Sequence, residues 1–169
     1  SYNEWHQLDH MPEQFPLDGI AYGQRWVSTP ACRAARAVSE PPLDSIHYMT
    51  LYLMTEPVEQ TLDDFMALGS RLHDLGRFFG PRTSHLSGPF VALDAAASPR
   101  VRVSADALPW RPKRGVYVTV DDVVDRARVD AYLEQLQTDI TPAALAQPGV
   151  AGVWSFAADR AFAQRWPTG

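Results

Sequence analysis

Residues 4–14 read EWHQLDHMPEQ, and residues 15–27 continue FPLDGIAYGQRWV. The first part places His6 and His10 four residues apart, so on a helix both imidazoles leave from one face, and it stops at Met11-Pro12. The second part passes through Gly19 into Ile20, Tyr22, Gln24 and Trp26, which alternate with Ala21, Gly23 and Arg25 at the period of a strand. A helix, a turn and a strand are therefore expected across this stretch, and the same grammar recurs later in the chain. Adding 130 to the residue number carries Tyr2 onto Tyr132, Glu4 onto Glu134, Gln7 onto Gln137, Asp9 onto Asp139, Pro12 onto Pro142, Gly19 onto Gly149 and Ala21 onto Ala151, with no gap. An internal duplication is expected, with shared helix-to-strand grammar as the alternative.

In the later copy Leu133, Leu136 and Ile140 fall at helical spacing within 129–147, the helix ends near Pro148-Gly149, and 150–157 is rich in strand formers. Ahead of it GVYVTVDDV, residues 115–123, alternates Val116, Val118 and Val120 with Tyr117 and Thr119 and predicts a strand. By the same offset the first copy's leading strand would precede Ser1, so that strand is expected from outside this sequence or from another segment. Residues 46–55, IHYMTLYLMT, predict a further strand, and Val58, Leu62, Phe65, Met66, Gly69 and Leu72 form one stripe of an amphipathic helix. On that stripe His73 reads as a core histidine. Residues 85–95 are expected to close the first unit as a strand, and the proline-bearing stretches 27–44 and 96–114 to connect elements.

The expected class is α+β: a first ferredoxin-like unit over 1–95 without its leading strand, a connector over 96–114, and a second, incomplete unit over 115–169. After Ala157 only about a dozen residues remain, too few for the strand, helix and strand that would complete it. Strands such as 46–55, apolar on both faces, imply that both sides of the sheet are covered.

With 169 residues, 46% hydrophobic and 21% charged, the chain has the composition of a soluble globular domain and no apolar run of membrane-spanning length. The net charge of -5 and the scatter of its Lys and Arg residues argue against a nucleic-acid partner. A single cysteine, Cys32, excludes an internal disulfide and any multi-thiolate zinc site and makes a reducing cytoplasm the default. Phosphate-binding loops, nucleophile elbows and dinucleotide fingerprints are missing, so no cofactor is expected.

The stretch EWHQLDHMPEQFPLDGIAYGQRWV resembles the helix and following strand of the dimeric α+β barrel superfamily, which includes EthD-like proteins, antibiotic-biosynthesis monooxygenases, small polyketide cyclases and muconolactone isomerases. There a helix of the type W-H-x3-H-x-P leads through a glycine turn into a G-x-R-x strand. The resemblance is best over residues 2–27, extends to about 95 and recurs over 115–157. It implies two ferredoxin-like units whose sheets face each other to close a barrel, helices outermost, within one chain or in a homodimer. The implied activity is cofactor-independent isomerisation, cyclisation or oxidation of a small aromatic or carbonyl compound. A non-catalytic binding or assembly module of the same fold and a haem-binding barrel are the alternatives, the last testable by a Soret band.

His6 and His10 carry three readings. As metal ligands they lack a third partner and an H-E-x-x-H pattern, so no metal is expected. As catalytic groups they have the side chain titrating nearest neutrality, with Asp9 and Glu13 nearby to poise it. As core residues they would simply satisfy backbone carbonyls, since Leu136 and Ile140 stand at their positions in the later copy and are expected to be core. Trp5, Tyr22, Gln24, Arg25, Trp26 and His47 are the candidate substrate-binding residues. Tyr22, Gln24 and Trp26 form one wall suited to a planar molecule or to ordinary sheet packing. Arg25 suits a carboxylate or enolate, or an ion pair with Asp9 or Asp18.

Overall fold

The computed structural model describes residues 1–80 and 82–159. The chain divides between Leu86 and Ser87 into two compact units. No helix among the described residues is long and apolar enough to cross a membrane.

In the first unit a helical turn, α1 (Tyr2–Glu4), runs directly into a π-helical stretch, Trp5–His10. Ser1 caps the turn by accepting from the Glu4 N–H, while the Glu4 carboxylate folds back on Ser1, a reciprocal cap. The π geometry is closed by the Met11 N–H donating to the His6 carbonyl at 2.9 Å. After a series of turns the chain enters β1 (Ile20–Val27), which pairs antiparallel with β2 (Tyr48–Met54). Between them α2 (Pro30–Ala34) and a 3-10 turn, Leu43–Ser45, occupy the stretch expected as a plain connector. Arg36 ties that stretch to β2 by donating to the carbonyls of Asp44 and Ile46.

Behind the strands lies α3 (Val58–Asp74), with Thr61, Leu62, Leu68 and Leu72 buried. Its first turn carries Glu59 and its last Arg71 and His73, each suited to the helix dipole. His73 is not the expected core histidine: its side chain is 79% exposed. Burial on α3 centres on Thr61, Leu68 and Leu72, and the residue after Leu72 stands about 100° further round the helix. Gly19 is required where the turn before β1 meets α3, because a Cβ there would lie 1.8 Å from the Thr61 Oγ1.

In the second unit β3 (Phe90–Ala97) pairs antiparallel with β4 (Gly152–Ala158). The segment expected to close the first unit as a strand over 85–95 thus begins later and hydrogen-bonds to β4 in the second unit instead. Between them lie a 3-10 helix, Ala105–Trp110, then α4 (Val129–Gln135), a second π-helical stretch, Leu136–Ile140, and α5 (Thr141–Ala146). Leu108 packs under Gly152, where a Cβ would come within 2.6 Å of it. Arg100 caps the end of α5, donating to the carbonyls of Leu145 at 2.6 Å and Gln147 at 2.7 Å.

Two expectations for this unit are corrected. Residues 115–123 join neither sheet, and their side chains stay largely open, Tyr117 at 73% and Val118 at 50%. An alternating pattern names a face, but a strand also needs an edge to bond to and a surface to pack on. Leu136 is only half-buried and Ile140 is 43% exposed, so neither is a core position. The fold is mixed α and β with two separate two-stranded antiparallel sheets, and no closed barrel is formed by the described residues. Residues 160–169, which hold most of the stretch too short to complete the second unit, lie outside the described residues.

Candidate functional site

The register of the first sheet decides which strand residues meet the opening helix. Arg25 pairs with Thr50, Gly23 with Tyr52 and Val27 with Tyr48, so these six share one face. Thr50 reaches the helix: its Oγ1 lies 3.4 Å from His6 Nε2. Tyr22, Gln24 and Trp26 face the other way beside Leu53, Leu51 and Met49, and the Tyr22 hydroxyl donates to Gln24 Oε1. The structure therefore splits the expected set. Trp5, His6, His10 and Arg25 come together on one side of the sheet; Tyr22, Gln24 and Trp26 stand on the other. His47 is exposed just ahead of β2, its carbonyl accepting from the Ser28 N–H.

His6 is 6% exposed and its ring sits 5.4 Å from that of His10. Trp5 stacks on His10 at 4.6 Å and donates its indole N–H to the Arg77 carbonyl at 2.7 Å. Tyr2 contacts Trp5, His6, Tyr48 and Phe79, and Phe78 packs edge-on to His10. This aromatic cage removes water from both imidazoles, and the consequence is electrostatic. Burial, then the positive charge of Arg25, pulls His6 down from 6.5 to about 4. Burial, then Arg82, lowers His10 as well, outweighing the opposite influence of Asp9 and Glu13. Those two carboxylates, expected to poise the imidazoles, are both engaged by Arg77. Both histidines are thus neutral at pH 7. Burial also pushes the Tyr52 hydroxyl up, keeping it a protonated donor.

Several of these polar atoms have no partner among the described residues. His6 Nδ1, His10 Nδ1, Arg25 Nε and the Tyr52 hydroxyl are all buried and unsatisfied, as is Gln14 Oε1. Leaving a buried polar atom unpaired costs about 1–3 kcal/mol, which sets these five apart from the other buried polar atoms of the first unit. No group of three or more His, Cys, Asp or Glu side chains among the described residues is arranged to hold a metal ion.

Arg25 forms no ion pair with Asp9 or Asp18. Its guanidinium lies 4.2 Å over the Tyr48 ring and 5.2 Å over that of Tyr2, and it donates to Asn3 Oδ1 at 2.7 Å. Cys32 is exposed, and a hydrogen bond with the Thr29 hydroxyl, more than the neighbouring Arg33, lowers its thiol. Sequence reasoning missed Tyr2, Tyr52, Phe78, Phe79 and Arg82. Tyr52 was visible as the alternate neighbour of Thr50, and Tyr2 as the residue four before His6 on one helix; Phe78, Phe79 and Arg82 depend on how the chain returns after α3, which no local pattern encodes. Two clefts open on the described surface, one of about 310 Å³ beside Arg25 and one of about 550 Å³ formed by 121–125 and α4. Neither is lined by an imidazole. Comparison with protein families, curated proteins and solved structures finds no match to this chain.

Proposed function

We propose that the first unit is a small-molecule enzyme of the α+β barrel type that works without a cofactor on an aromatic or carbonyl compound, with His6 as its proton carrier. The observation that supports this reading is the buried imidazole whose Nδ1 has no partner, next to a second such imidazole. A neutral imidazole accepts a proton from carbon beside a carbonyl, the protonated Tyr52 donates a hydrogen bond to the resulting enolate oxygen, and the imidazolium returns the proton elsewhere on the same molecule. That sequence balances as an isomerisation or cyclisation; an oxidation would need an added oxidant. In the same reading the chain is a worn tandem of ferredoxin-like units, supported by π-helical stretches at matching places, Trp5–His10 and Leu136–Ile140, and the barrel is completed in a homodimer.

The alternative, a non-catalytic binding or assembly module, is favoured by one feature: Trp5 lies flat on His10, filling the space a substrate would take. Phenylpyruvate in deuterium oxide separates the two. The enzyme reading expects the protein to accelerate exchange of its α-hydrogens, followed by proton NMR, and His6→Gln to abolish the acceleration. Exchange at the uncatalysed rate, or equal rates in both proteins, rejects it in favour of the module.

A further inference from the structure

Residues 111–125 read RPKRGVYVTVDDVVD, basic at one end and acidic at the other, with Val116, Val118 and Val120 on one face between them. Those valines are about half exposed, and Tyr117 on the opposite face is more so. Residues 115–123 join neither sheet and make no backbone hydrogen bond among the described residues. A segment of strand-forming residues in that state presents a row of unpaired N–H and C=O groups beside an apolar face, and pairing with another strand satisfies the first while covering the second.

The charges select the partner. Asp121 already takes a hydrogen bond from Tyr132, and Asp125 one from the Ala127 N–H. Arg114 and Asp122 are exposed and form no ion pair among the described residues. When two copies of the segment are laid antiparallel about a two-fold axis, Val118 faces Val118, Val116 faces Val120 and Arg114 faces Asp122. The three valines of each copy then share one face, with an Arg–Asp pair closing it at either end. No strand of the chain among the described residues offers the same match: β2 and β4 hold no charged residue, β3 holds only Asp94 and β1 only Arg25.

We propose that residues 114–122 form an antiparallel two-stranded ribbon with the same segment of a second copy of this chain, two-fold symmetric about Val118. The ribbon uses the second unit alone and needs neither the enzyme reading nor a closed barrel, so the exchange experiment on His6 stands or falls separately.

The full chain carrying Cys32→Ser and Val118→Cys tests the register, because the two new thiols meet at the two-fold axis. Under mild oxidation it is expected to give a disulfide-linked dimer. With Val116→Cys in place of Val118→Cys it is expected to give little, since that thiol faces Val120 of the other copy. No cross-link at 118, or equal cross-linking at 116, overturns the ribbon. Sedimentation of the unmodified chain at up to about 1 mM is expected to show a weak, concentration-dependent dimer, as suits so short an interface, and a monomer throughout overturns the ribbon as well. Arg114→Asp and Asp122→Arg, both at exposed positions, are each expected to weaken that dimer about tenfold by setting like charges opposite each other at both ends. An equal mixture of the two variants, in which each end again joins Arg to Asp, is expected to restore it. Unchanged affinity in either variant, or no recovery on mixing, overturns the proposal.

Discussion

The opening helix and the helix around residue 140 both pass from α into π geometry, Trp5–His10 in one and Leu136–Ile140 in the other, yet they end in opposite surroundings. In the first, His6 is buried under Tyr2, Trp5 and the β2 residue Thr50. In the second, the larger aliphatic Ile140 is left 43% exposed. Polarity alone would have placed them the other way round. Backbone geometry travels with the local sequence, whereas burial is decided by what packs against it: Thr50 of β2 against His6, and Phe78, from beyond α3, against His10.

The glycines that precede the two strands sharpen the contrast. Gly19 answers a close approach, Thr61 standing where its Cβ would be, while Gly149 answers a backbone φ of 85° with open space around it. Gly19→Ala is therefore expected to be the most damaging single change in the pair, about 3 kcal/mol in urea unfolding, since either α3 or the turn must move. An effect below about 1 kcal/mol would mean the turn yields freely and the seat of the opening helix is not rigid.

Next in size is the titration of the buried imidazole. His6 sits at about 4 in the folded chain against an ordinary 6.5, so below 6.5 the unfolded chain takes up a proton that the folded chain refuses. Stability present above that pH is lost as pH falls from 6.5 to about 4, by roughly 2 kcal/mol, and His10, lowered in the same direction, adds to the loss. His6→Leu, which installs the residue found at position 136, should flatten most of this slope in denaturation curves taken between those pH values. A slope unchanged by the substitution would locate the titration in other groups.

Smaller effects are expected from the second unit. Gly149→Ala should cost about 1 kcal/mol, the strain of a left-handed φ on a residue with a Cβ. Ile140→Ala should cost no more than about 0.5 kcal/mol, as for an exposed residue, whereas a cost near 3 kcal/mol would show that Ile140 is core in solution and remove the contrast between the two helices.

The helix at His6 and His10, β1, β2 and α3 were all legible, because period-2 and helical spacing run cleanly through 4–27 and 46–74 and end at proline or glycine. The strand pattern of 115–123 was equally clean and formed no strand. Trp5, His6, His10 and Arg25 were legible as candidates, and Tyr22, Gln24 and Trp26 were legible as one wall, but which wall faced the helix was not. A strand's two faces look alike in sequence until a partner covers one of them.

What the residues by themselves determined is local: where helices and strands start and stop, which side chains share a face, and that two imidazoles stand together. Only the tertiary structure decided that Thr50 rather than Tyr22 or Trp26 meets those imidazoles, that Arg77 takes the carboxylates and leaves Arg25 without one, and that both histidines are neutral. The reason is that dielectric, burial and charge pairing depend on atoms distant in the chain, and their sum at one nitrogen is set by the packing around it.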